Sequence, residues 1–242
     1  MQTEIQQPAW SLSRRLGAWG VHFFTMSGLI WAVLAIGALN AGQLKLMWLW
    51  LGISLVVDSI DGPMSRKIRV TEVYPWFSGA MVDNIVDYMT WTLIPALFIA
   101  AQVPLGTKPL VYVALAMILM SSMFCYANTK MKSSDWYFVG FPAAWNVIAV
   151  VMWIFQTQVA LNWVVIVVFS VLAVIPWQWV HPFRVRKLRS VTATCACIWV
   201  AATAFMVALQ PVHPWWLVAI WLVAGLWIIL VGALKSFTSF LD

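Results

Sequence analysis

Charge is what this sequence has least of: across 242 residues only 9% are Asp, Glu, Lys or Arg, against 63% hydrophobic residues and a mean hydropathy of +0.89. No water-soluble domain of this size has a core large enough to hide that much apolar surface, so a soluble enzyme is excluded. Cysteine is scarce too. Cys125, Cys195 and Cys197 all fall inside apolar runs, and three thiols without extracellular spacing make no disulfide framework. Cys195 and Cys197 are two apart, on nearly opposite helix faces, which argues against a metal pair there. The stretch Met1 to Gly17 lacks an apolar core followed by a small-residue cleavage site, so it does not read as a signal peptide. Repeats, low-complexity tracts and soluble segments are missing as well, and the expectation is one membrane-embedded domain over 1–242.

What the sequence does have is apolar runs of about 20 residues that recur along the chain without strand-like alternation. The fold class is therefore all-α and polytopic. Reading runs between polar breaks gives eight expected transmembrane spans, at 19–41, 43–60, 81–101, 109–127, 139–155, 160–180, 190–209 and 214–234. An even number puts both termini on one side, and the basic residues test this independently. Arg14 and Arg15, then Arg66, Lys67 and Arg69, then Lys130 and Lys132, then Arg184, Arg186, Lys187 and Arg189, and finally Lys235 all fall on that side. Only Lys45 and Lys108 fall on the other. The positive-inside bias makes the first side, and both termini, cytoplasmic. The net charge of +6 is then an expression of topology and not a nucleic-acid footprint. Pro8 and the series Trp10, Leu12, Leu16, Trp19 around the first arginines fit a short interfacial helix, or an ordinary positive flank.

Acidic residues number eight, and four of them, Asp58, Asp61, Asp83 and Asp87, gather at the cytoplasmic end of the second expected span and the start of the third. One carboxylate at the hydrocarbon edge is unfavourable by at least about 2.5 kcal/mol, so four together require compensation. Asp58 and Asp61 are spaced i,i+3 and Asp83 and Asp87 i,i+4, so each pair shares a helix face and the two faces can meet across a hairpin. Such a four-carboxylate box stays ionised only around hard divalent cations, and its all-oxygen ligation suits Mg²⁺, Mn²⁺ or Ca²⁺ rather than Zn²⁺. Two ions flanked by Arg66 suit the binding of a pyrophosphate and displacement at phosphorus.

The run Asp58-Ser-Ile-Asp61-Gly62-Pro-Met-Ser65-Arg66, followed by Gly79-Ala-Met-Val-Asp83-Asn-Ile-Val-Asp87, resembles the motif of the CDP-alcohol phosphatidyltransferases, D-x2-D-G-x2-A-R…G-x3-D-x3-D. Two departures are visible. Ser65 stands at the usual alanine, and twelve residues rather than eight separate Arg66 from Gly79. The segment Trp19-Gly-Val-His-Phe-Phe-Thr-Met-Ser-Gly28, the eight-span layout and the basic Val180-His-Pro-Phe-Arg-Val-Arg186 extend the resemblance, over nearly the whole chain, to the bacterial phosphatidylcholine synthases within that family.

The resemblance implies transfer of a phosphatidyl group from CDP-diacylglycerol to choline, with release of CMP, at a cytoplasm-facing site in the bacterial inner membrane. It also implies Mn²⁺ or Mg²⁺, membrane lipid around the site, and a homodimer. By family position Asp58, Asp61 and Asp83 are metal ligands, and Asp87 is a ligand or, as favoured here, the base that takes the choline proton. Gly62, Ser65, Arg66 and Gly79 face CDP-diacylglycerol, joined by His22 and Thr25, an i,i+3 pair near the cytoplasmic end of the first span. Helix packing and buried hydrogen bonding are competing explanations for the glycines and for this pair.

Arg184 and Arg186 belong to the densest basic cluster, which serves topology and is also placed to capture an anionic head group. Choline carries a quaternary ammonium that makes no hydrogen bonds, so its site needs aromatic faces or a carboxylate. Tyr74 and Trp76, in the long loop, are the nearest candidates in sequence, with interfacial anchoring as the competing explanation. Asn146, in the fifth span, is either an interhelical hydrogen-bonding residue or a choline contact. Other acceptors, namely serine, inositol, glycerol phosphate or ethanolamine, keep the same chemistry. A cation transporter would place its acids near the membrane centre, whereas these lie at one end.

Overall fold

The structure is a computed structural model that describes residues 10–128, 137–185 and 188–241. The basic residues Lys130, Lys132, Arg186 and Lys187, and Pro8, lie outside the described residues. The chain divides into two compact units, one running to Thr90 and the other from Trp91.

In the first unit, α1 (Leu12–Met26) and α2 (Gly28–Asn40) follow one another with a break only at Ser27. Ser11 caps α1 by accepting from the Arg14 N–H, which satisfies one of the helix's orphan donors and places the helix start ahead of the expected residue 19. Together they make a helical stretch of 29 residues, about 44 Å of rise against a hydrocarbon thickness of about 30 Å, so several residues extend beyond it. α3 (Leu44–Ile68) ends where Arg69 turns left-handed, and the short α4 (Val70–Val73) follows. α5 (Gly79–Asp87) starts on Ser78, whose hydroxyl accepts from the Met81 N–H at 3.2 Å. α2 packs along α3, and α5 packs on α1 and α2.

The segment from the end of α3 to Ser78 is tied down from α1 and the residues just before it. Trp10 donates its indole N–H to the Glu72 carbonyl at 3.2 Å, and Arg14 donates to the Ile68 carbonyl at 3.4 Å while lying 4.5 Å above the Trp10 ring. Ala18, Val21, Val70, Val73 and Tyr74 form the core beneath these contacts, with Trp19 and Phe77 against it.

A π-helical turn, Tyr88–Leu93, follows α5. The second unit then holds α6 (Ile94–Gln102), α7 (Lys108–Ala127), β1 (Phe138–Val139), α8 (Trp145–Ile154), α9 (Val159–Leu172), β2 (Gln178–Trp179), α10 (Arg189–Leu209) and α11 (Trp215–Leu241). β1 and β2 pair antiparallel, Phe138 with Trp179 and Val139 with Gln178. α11 packs on α10, where Trp221 donates to Thr203 at 2.9 Å and Trp227 to Thr192 at 3.2 Å, so indole N–H groups are satisfied between apolar helices.

The chain is an all-α polytopic membrane protein in type. Among the described residues, five helical stretches are long and apolar enough to cross a membrane, Leu12–Asn40, Gly79–Gln102, Lys108–Ala127, Arg189–Leu209 and Trp215–Phe237. α8 and α9 are shorter than the expected spans 139–155 and 160–180. Gly140 at φ +90°, Pro142 and Ala143 at φ +54° keep the chain out of a helix until Trp145, and Pro176 and the β pair end the other.

Candidate metal centre

Two helices supply the acidic side chains. Asp58 and Asp61 sit in the C-terminal half of α3, and Asp83 and Asp87 lie one turn apart on α5. The structure brings Asp58, Asp83 and Asp87 together: carboxylate oxygens of the three, each half-buried, lie within 4.8 Å of one another. Oxygen ligands of a hard divalent ion sit at about 2.0–2.6 Å from it, so oxygens this close can share one ion, and the all-carboxylate donor set fits such an ion chemically.

Asp61, the fourth member of the expected box, stands outside this trio. It is buried to 6% exposure, accepts from the backbone N–H of Gly62, and meets the hydroxyl of Thr25, which also lies 3.3 Å from the Val21 carbonyl. Arg66 acts on Asp61 through its charge, from an exposed position in the last turn of α3. Gly62 and Ser65 are half-buried on the same helix.

Thr25 and His22 share a face of α1, and both meet the motif. His22 is 3% exposed and wedged against Phe77, with ring centroids 4.5 Å apart, and against Trp19 at 5.6 Å. Its Cε1 lies 2.9 Å from where a Cβ on Gly79 would be, so the absent side chain at the start of α5 is what admits the imidazole. Among the described residues, the buried Nε2 of His22 meets no hydrogen-bond partner.

The remaining sequence candidates have varied surroundings. Tyr74 is buried at 8% exposure, packs on Trp19 at 5.3 Å, and its hydroxyl accepts from Arg15 at 3.4 Å. Its ring is core, with a guanidinium at its edge, which is a poor setting for a second cation. Trp76, by contrast, is 71% exposed at the edge of the same aromatic cluster. Asn146 lies at the beginning of α8, and its Oδ1 accepts from the Val147 N–H at 2.7 Å. Arg184 is half-buried in the turn after β2, and Arg186 falls outside the described residues.

Sequence reasoning gave Arg15, which holds the Tyr74 hydroxyl, only a topological part, and passed over Asn162. The latter is fully buried and donates to the Pro104 and Thr157 carbonyls at 2.8 and 3.1 Å. Its isolation inside an apolar run was the available signal.

No family model matches the chain. Among curated proteins, the phosphatidylcholine synthase of Pseudomonas aeruginosa is 39% identical over 208 residues, covering 86% of this chain and 87% of the relative. Those of Agrobacterium fabrum and Rhizobium johnstonii are 34% and 36% identical over 220 residues, covering 91% of this chain and 91% and 90% of the relatives.

Proposed function

The chain belongs to the phosphatidylcholine synthase family, and on that premise we propose that it transfers the phosphatidyl group of CDP-diacylglycerol to choline with release of CMP. The observation that carries this reading is the convergence of Asp58, Asp83 and Asp87 within 4.8 Å. The choline hydroxyl oxygen bonds to the phosphatidyl phosphorus, the bond from that phosphorus to the CMP oxygen breaks, and CMP leaves with the electron pair. The hydroxyl proton passes to the carboxylate of Asp87. An ordinary carboxylate is a weak base toward an alcohol, so alignment of the reacting atoms supplies much of the rate.

Asp58, Asp83 and Asp87 would hold Mn²⁺ or Mg²⁺ in this reading, with Asp61 one turn away on α3, and such an ion, when bound, would offset charge on the pyrophosphate and on the leaving CMP. Arg66 adds a guanidinium for phosphate, and Gly62, Ser65, Gly79, His22 and Thr25 line the nucleotide end of CDP-diacylglycerol. Arg184 and Arg186 attract anionic head groups. Trp76 presents the exposed aromatic face suited to a quaternary ammonium. The whole of 1–242 acts as one catalytic domain, homodimeric and in the bacterial inner membrane, with its acidic site open to the cytoplasm. Relatives matched over about nine-tenths of the chain support the first of these points.

The test is a purified-protein assay with CDP-diacylglycerol and labelled choline, set against ethanolamine, serine, inositol and glycerol phosphate. Labelled phosphatidylcholine and stoichiometric CMP are expected from choline. Preference for another alcohol would overturn the acceptor and leave the transfer chemistry standing.

A further inference from the structure

Gly28, the first residue of α2, lies outside the acidic motif, yet it sits in the corner where both acid-bearing helices approach α2. It is buried, and a Cβ built on it would run into Cγ1 of Val86 while coming within 3.7 Å of the Ser54 hydroxyl oxygen. Val86 is the residue before Asp87 and is 5% exposed; Ser54 is 2% exposed and precedes Asp58 by one helical turn, on the same face. One hydrogen atom at Gly28 therefore backs onto the supports of two of the three clustered carboxylates. Val86 is β-branched, with one strongly preferred rotamer in a helix, so it has no flexible end to swing away from an added methyl. The close-packed interior leaves displacement of α5 itself as the relief.

We infer that Gly28 is a positioning residue for the carboxylate cluster, its missing side chain setting how closely α5 with Asp83 and Asp87 docks beside α3 with Asp58. The inference rests on the metal reading proposed above. Replacing Gly28 with Ala separates the ligand oxygens, while removing Cγ1 by Val86→Ala makes room for the methyl and restores the docking. Displaced support of metal ligands characteristically weakens affinity by about 10- to 100-fold.

The test uses the full chain in lipid nanodiscs without substrate, with Mn²⁺ binding followed by electron paramagnetic resonance and unfolding by thermal melt. Gly28→Ala should bind Mn²⁺ at least about tenfold more weakly than wild type, and Gly28→Ala/Val86→Ala should recover most of that loss. If Gly28→Ala does not fold, the double variant carries the test, and it must fold and bind Mn²⁺ within a few-fold of wild type. Wild-type Mn²⁺ affinity in Gly28→Ala, a lowered melting temperature with unaltered affinity, or a double variant without recovery would each overturn the positioning role. Absence of Mn²⁺ binding by the wild-type protein would instead overturn the metal reading, and this inference with it.

Discussion

The imidazole of His22 fills the place where a side chain at Gly79 would stand, Cε1 lying 2.9 Å from that Cβ position. The motif glycine thus does a packing job in this chain, at the junction of α1 and α5, whatever else it does toward the nucleotide. Gly79→Ala should lower stability by about 1–3 kcal/mol, the range for overpacking a well-filled site. Adding His22→Ala should recover part of that, because contacting residues do not contribute additively. A double-mutant cycle on thermal unfolding in nanodiscs checks this, and strictly additive losses would contradict the shared space.

Asp83→Asn removes one of three carboxylates that lie within 4.8 Å of each other. Loss of a metal-ligating charge is expected to lower turnover by about 10²-fold or more and to weaken Mn²⁺ binding in parallel. Turnover with choline and direct Mn²⁺ titration of the same preparation decide it; full activity of the variant, or of wild type in excess EDTA, contradicts the ligand assignment.

The acidic centre was legible because carboxylates are so unfavourable in an apolar sequence that four near one another stand out, and because i,i+4 spacing places Asp83 and Asp87 on one face of α5. That Asp61 turns from the trio toward Thr25 was not legible, since i,i+3 spacing fixes a face but not which carboxyl reaches across to the next helix. Hydropathy also overran the ends of α8 and α9. It responds to apolar content, which the irregular stretch around Gly140 and Ala143 retains, and is blind to the backbone angles that interrupt helices there. The loop between Arg66 and Gly79 hid most. Nothing in Val73 to Ser78 told which aromatic faces inward, because that is decided by Arg14, Arg15 and Trp10 from α1 and its flank, some sixty residues away in the chain.

If the cationic loops are cytoplasmic, the acidic cluster opens to the same side, since Arg66, Lys67 and Arg69 end α3 just beyond Asp58 and Asp61. Added CMP, which does not cross a bilayer, should then inhibit choline incorporation in sealed inside-out vesicles and leave right-side-out vesicles unaffected. The opposite pattern would invert the orientation.

Choline selectivity separates the two loop aromatics. Trp76 is 71% exposed while Tyr74 is 8% exposed and holds Arg15 through its hydroxyl. If Trp76 faces the ammonium, Trp76→Leu keeps apolar bulk but removes the negative π face, a loss of about 0.5–2 kcal/mol of cation binding. The choline KM should then rise roughly 2- to 30-fold, where KM reports binding, with the KM for CDP-diacylglycerol nearly unchanged. Tyr74→Leu should behave differently: it removes a core ring and the acceptor for Arg15, so melting temperature falls and both substrates suffer together. Steady-state kinetics on the two variants, each paired with a thermal melt, distinguish these outcomes. A choline KM unmoved by Trp76→Leu would place the ammonium against another aromatic face, and leave the transfer reaction, which rests on the carboxylates, as it stands.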